Sequence, residues 1–129
     1  MKKELIICTI IVISIIIGNI ITQNYTKETI NITTQKLDEL KSKITQEDIL
    51  TEEVKNEILE IYDEWNKRHD KLAYYIEHDE LEKVETDLTS LKSFIEVQEY
   101  KEAVSELDKT IYILKHIEEK NAFNLKNIF

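Results

Sequence analysis

Three histidines and the carboxylates around them are the residues of this chain whose types suggest chemistry. Glu77-His78-Asp79-Glu80 sets one imidazole among three acids, and His116 lies near the end of the last patterned segment. Imidazole with carboxylates can hold a divalent metal such as zinc, or titrate between about pH 5 and 7 as a switch. The spacing is not a zinc pattern of the H-E-x-x-H kind. The plainer reading has Asp79 and Glu80 opening a helix, where its dipole favours acids, while His78 caps the end of the helix before. Trp65 with Arg68 and His69 is the second candidate, a pocket between helices with two polar contacts. Its plainer reading is a core anchor burying about 200 Å² of indole, with His69 half solvated at the core edge. Catalysis has little to stand on. No nucleophile–His–acid pattern occurs, and the single glycine, Gly18, builds no phosphate-cradling loop. The expectation is a protein that is not an enzyme and carries no cofactor, with metal binding an open question.

The element that must position everything else is Leu5 to Ile21, 17 residues without a charge, ten of them isoleucine, behind Lys2 and Lys3. As a helix it reaches about 25 Å, slightly short of a hydrocarbon core, and Thr22 extends it. Each central isoleucine favours insertion by about 0.5 kcal/mol, which outweighs Asn19, Gly18, Ser14 and Thr9. No small-residue pair marks a cleavage site between Ile16 and Thr26, so an uncleaved anchor is expected rather than a signal peptide. The lysines before it and the absence of any cation after it until Lys27 favour a cytoplasmic N-terminus. The expected layout is therefore residues 1–4 as a cytoplasmic tail, 5–22 as a single-pass transmembrane anchor and 23–129 as an extracytoplasmic domain of the cell membrane. Four residues are too few for an output domain, which speaks against a self-contained receptor. Cys8, the one cysteine, lies in the apolar run and can form no intrachain disulfide.

The 108 residues after Ile21 carry 15 Lys/Arg against 25 Asp/Glu. That balance repels nucleic acid and anionic headgroups, so neither is expected as the main partner. With no proline and no glycine there, the segment lacks the usual material for tight turns. Helices joined by short polar connections follow, and a sheet does not.

Four stripes at three-four spacing bear this out in the pattern. Helix A has Ile30, Thr33, Leu37, Leu40 and Ile44. Helix B has Val54, Ile58, Ile61, Trp65, Leu72 and Ile76, with Tyr62 and Tyr75 at the margins and Thr45 or Thr51 as its N-cap. Asp79 with Glu82 three residues on reads as a capping box for helix C, whose stripe is Leu81, Val84, Leu88, Leu91 and Ile95. Helix D has Tyr100, Val104, Leu107, Ile111, Leu114 and Ile117, with Asn121 as its C-cap. The remaining NAFNLKNIF, apolar at Phe123, Leu125, Ile128 and Phe129, reads as a non-helical tail that packs on the bundle base. Helices of about 18 to 26 residues with short links define an all-α fold, an antiparallel up-down four-helix bundle. A coiled coil between chains uses the same stripes, but faces with Trp65, Phe94 and several tyrosines suit a wider core. The B–C junction at His78 and the end of D at His116 then share the membrane-proximal end.

Trp65, the run EHDELEKVETDLTSLKSFI (Glu77 to Ile95), EAVSELDKTIYILKHI (Glu102 to Ile117) and the ending LKNIF resemble an uncharacterised bacterial domain-of-unknown-function family. Its members are short, N-terminally membrane-anchored helical proteins of Gram-positive bacteria. The acidic–His–acidic–acidic run matches at Glu77 to Glu80, and a His near the end of the last helix matches at His116. A second tryptophan common in the family is missing. The resemblance implies an anchored helical domain outside the cell and supplies no activity. The function expected is a non-enzymatic module that binds a protein partner or itself. A small-molecule, metal or pH-sensing domain at the His78/His116 end is the alternative.

Overall fold

The computed structural model describes residues 1–128, with side chains through Phe123. It contains α1 (Lys2–Ile44), α2 (Thr51–Leu72), α3 (His78–Glu96) and α4 (Tyr100–Ile128), and no strand among the described residues. The apolar stretch and helix A are one element: α1 runs 43 residues without a break, about 65 Å. From Leu5 to Ile21 its large apolar side chains are all uncovered, between 70% and 38% exposed. This helix is long and apolar enough to cross a membrane. Burial begins at Thr26, and from there α1 is one wall of the bundle.

That wall starts with threonines rather than isoleucines. Thr26, Thr33 and Thr34 are buried, yet each hydroxyl donates to a carbonyl one turn earlier: Thr22 at 2.8 Å, Thr29 at 2.8 Å and Ile30 at 2.7 Å. A hydroxyl satisfied in this way can sit in a helix interface without an orphaned donor.

Each helix packs on its neighbours in sequence and α4 closes on α1, while among the described residues the diagonal pairs have no Cα atoms within 8 Å. Side-chain pairings run in opposite directions along adjacent helices. Lys43 meets Glu53 and Glu57, Lys36 meets Glu64, Arg68 meets Thr29 and Tyr75 meets Thr26. Asp87–Lys109 and Glu80–Lys120 do the same for α3 and α4. The result is the antiparallel four-helix bundle expected. Trp65, Leu37, Leu40, Leu81, Leu88, Leu91, Leu107 and Leu114 are essentially without exposure at its centre. Each such aliphatic side chain contributes about 1.5–3 kcal/mol by leaving water.

The element ends differ from expectation. Thr45 closes α1, its hydroxyl bonded to the Lys41 carbonyl at 2.8 Å, and Leu50 precedes α2 with no side-chain cap, so neither Thr45 nor Thr51 is an N-cap. Glu77, not Asp79, occupies the cap position of α3, because the helix begins two residues earlier than the capping-box reading placed it. Asn121 ends nothing: α4 continues to Ile128, since no residue there breaks a helix, and Phe123 is 62% exposed. The expected packing of Leu125, Ile128 and Phe129 falls outside the described side chains. The buried face of α4 also includes Ala103 and Thr110, while Tyr100 and Val104 are half-buried.

Three residues, Val97–Glu99, suffice to reverse the chain between α3 and α4 without glycine. Gln98 takes a left-handed φ of 60°, its N–H bonds the Ile95 carbonyl at 3.1 Å, and the Glu99 N–H bonds the Phe94 carbonyl at 2.9 Å. This is a Schellman closure with glutamine where glycine is usual.

Candidate functional site

The end of the bundle where α1 emerges from its apolar half gathers most of the candidate residues. The Tyr75 hydroxyl lies 2.7 Å from Thr26 Oγ1 and 3.0 Å from the Thr22 carbonyl, which pins the α2–α3 turn at the level of Thr22. Burial holds the Tyr75 phenol above its ordinary pKa, with the Thr26 bond partly offsetting it and neighbouring Tyr25 adding to it.

His78 is the first residue of α3 and does not cap α2, whose C-cap is Ala73. Its side chain is 80% exposed, with Nε2 3.8 Å from Glu82. Asp79 is exposed. Glu80 is half-buried and takes the Lys120 ammonium at 3.0 Å, with Glu77 at 3.4 Å from the same ammonium. Glu80 first and then Glu77 raise the Lys120 pKa. Two of the three acids beside His78, Glu77 and Glu80, are thus engaged by a lysine from α4. His116, one turn before Lys120, is exposed. Among the described residues no group of three or more His, Cys, Asp and Glu side chains is arranged to hold a metal ion.

Trp65 is 1% exposed, a core residue, and its indole N–H has no hydrogen-bond partner among the described residues. His69 stands at the core edge with Nδ1 3.6 Å from Asp70. Arg68 turns toward α1 instead of joining them. It donates to Thr29 Oγ1 at 3.2 Å, lies 3.8 Å from Glu64 and sits 5.8 Å from the centre of the Tyr25 ring. The Lys71 ammonium approaches the same ring at 5.3 Å. Tyr25, Glu64, Arg68 and Lys71 line a groove of about 680 Å³ between α1 and α2, together with Lys36, Lys67, Glu28, Glu60 and Asp63. Lys36 closes on Glu64 and, chiefly through that hydrogen bond, holds the Glu64 carboxyl below its usual range. Sequence reasoning singled out Arg68 but missed Tyr25, Lys67 and Lys71. Their spacing on α2 was readable; their meeting with Tyr25 across two helices was not.

A second polar cluster was missed altogether. Asp87, on the inner side of α3, is 4% exposed, with one carboxylate oxygen 3.1 Å from Lys109 and the other without a hydrogen-bond partner among the described residues. That pairing raises the Lys109 pKa, with Glu106 adding a smaller pull.

Charge is distributed unevenly along the bundle. At the far end, residues 45–53 and 96–102 contain Glu47, Asp48, Glu52, Glu53, Glu96, Glu99 and Glu102 against Lys101 alone. Leu50 and Val97 stand exposed there, at 66% and 64%. The last turns of α2, near the apolar helix, carry Lys67, Arg68 and Lys71 against Asp70.

These features define an all-α, up-down four-helix bundle led by a long helix with an apolar first half, with clusters of charge on its surface. The chain belongs to the family of the domain of unknown function DUF4363, whose model matches residues 20–128. The match begins at the end of the apolar stretch and so extends the likeness well before Trp65. No curated protein and no solved structure matches the chain.

Proposed function

We propose that the chain is a membrane-anchored, non-enzymatic interaction module of the Gram-positive cell envelope. In this reading the N-terminus is cytoplasmic and the bundle stands outside the membrane. The observation that carries it is the continuity of α1: one helix is apolar and uncovered through Ile21 and a buried bundle wall from Thr26. A lipid-embedded rod that becomes part of the bundle fixes the height and tilt of everything attached to it. Its acidic far end, with Leu50 and Val97 exposed among carboxylates, is then held about 35 Å from the membrane, the rise of Thr22 to Ile44. An apolar centre with a charged rim is the make-up of a protein contact. Crosslinking in intact membranes tests this. A discrete adduct, lost when Leu50 and Val97 are changed to Asp, is expected; recovery of monomer alone contradicts it. A metal or pH sensor at His78 and His116 draws less support, because Glu77 and Glu80 beside His78 are held by Lys120.

A further inference from the structure

We propose that the cleft between α1 and α2 at Tyr25 binds the phosphate of an anionic phospholipid headgroup, an inference that rests on the membrane-anchored reading. Height is the first argument. Tyr25 lies four residues beyond Ile21, about 6 Å along the axis, and the headgroup layer on each side of a bilayer is about 5–8 Å thick. Lys71 and Arg68 meet the Tyr25 ring, so they share its level. Chemistry is the second. The Arg68 guanidinium and the Lys71 ammonium converge on the Tyr25 ring, Lys67 lines the same cleft, and Lys67 and Lys71 make no ion pair with any described residue. A phosphate supplies what they lack, and Arg68 offers it a planar donor fork. Tyrosine is also the amphipathic side chain that collects at this depth, and Tyr74 in the α2–α3 turn is 89% exposed. The negative charge of the whole domain argues against anionic lipid, but it is concentrated at the far end, away from this cleft. Glu28, Glu60 and Asp63 are the repulsive groups lining the cleft, while Glu64 is taken up by Lys36.

The test uses the full chain in phosphatidylcholine vesicles, alone, with added phosphatidylglycerol, or with inorganic phosphate in the buffer. Trp65 fluorescence follows thermal unfolding. Phosphatidylglycerol is expected to raise the unfolding temperature, and free phosphate to leave it unchanged. Each juxtamembrane cation contributes about fivefold in lipid affinity, so K67Q/K71Q should raise the half-saturating phosphatidylglycerol fraction about 25-fold, and E28Q should lower it. No shift with phosphatidylglycerol, a shift undiminished in K67Q/K71Q, or an equal shift with free phosphate overturns the proposal. Failure of the chain to co-float with phosphatidylcholine vesicles overturns the anchored reading and this one with it; co-flotation without a lipid-specific shift removes this one alone.

Discussion

Removing the Tyr75 hydroxyl tests where the base of the bundle sits. Tyr75 has one hydroxyl proton to donate, toward Thr26 Oγ1 at 2.7 Å or the Thr22 carbonyl at 3.0 Å. Thr26 itself donates to Thr22 at 2.8 Å, and that carbonyl keeps this bond when Tyr75 loses its oxygen. Tyr75→Phe therefore deletes one hydrogen bond while leaving no buried donor stranded, a loss of about 1 kcal/mol. For a domain of this size that corresponds to a fall of about 4–8 °C in unfolding temperature. Thr26→Val removes the same contact from the α1 side. The two changes should be less than additive, with a coupling of about 0.5–1 kcal/mol. The assay is denaturant unfolding of the full chain in detergent micelles, read from Trp65, for wild type, both single variants and the double. Additivity within about 0.3 kcal/mol, the behaviour of independent sites, refutes the Tyr75–Thr26 contact.

The same phenol gives a pH dependence. Its pKa is raised by burial, so the folded state keeps the proton longer than the unfolded chain. The stability it contributes is complete below the ordinary value of 10.0 and is lost as pH rises through the raised value. Alkaline unfolding curves should show this loss in wild type and a smaller one in Tyr75→Phe. Gln98 holds a left-handed φ of 60°. Gln98→Gly should stabilise by up to about 1 kcal/mol, and Gln98→Val should destabilise, both read by chemical denaturation. Lys109→Met strands the buried Asp87 carboxylate and should lower the unfolding temperature. Asp87→Leu combined with Lys109→Met should recover most of the loss, because an apolar pair leaves no uncompensated charge.

Much of this architecture was written in local pattern. The stripes through Leu37, Trp65, Leu88 and Leu114 predicted the four buried faces because helical spacing and burial follow one period. Helix ends were less legible. Gln98 adopts a conformation glycine normally supplies, and Leu50 starts a helix without a capping side chain, so neither end carried its usual residue. The tail from Asn121 was misread because alternating apolar residues suggested an extended segment, whereas nothing there interrupts the helical hydrogen bonds of α4. At the site, His78 and Glu80 were visible as residue types, but the lysine that engages Glu80 lies 40 residues further along the chain. The Tyr25–Arg68–Lys71 cluster depends on which faces of α1 and α2 meet, a property of three-dimensional packing that residue spacing alone does not encode.

Fractionation with protease challenge tests the central claim most directly. Membranes from cells expressing a C-terminally tagged chain are washed with alkaline carbonate, and intact spheroplasts are treated with external protease. If the apolar half of α1 spans the bilayer with the bundle outside, the chain stays in the washed pellet and the tag is digested before the spheroplasts are lysed. A chain released by carbonate, or a tag protected until lysis, contradicts the account.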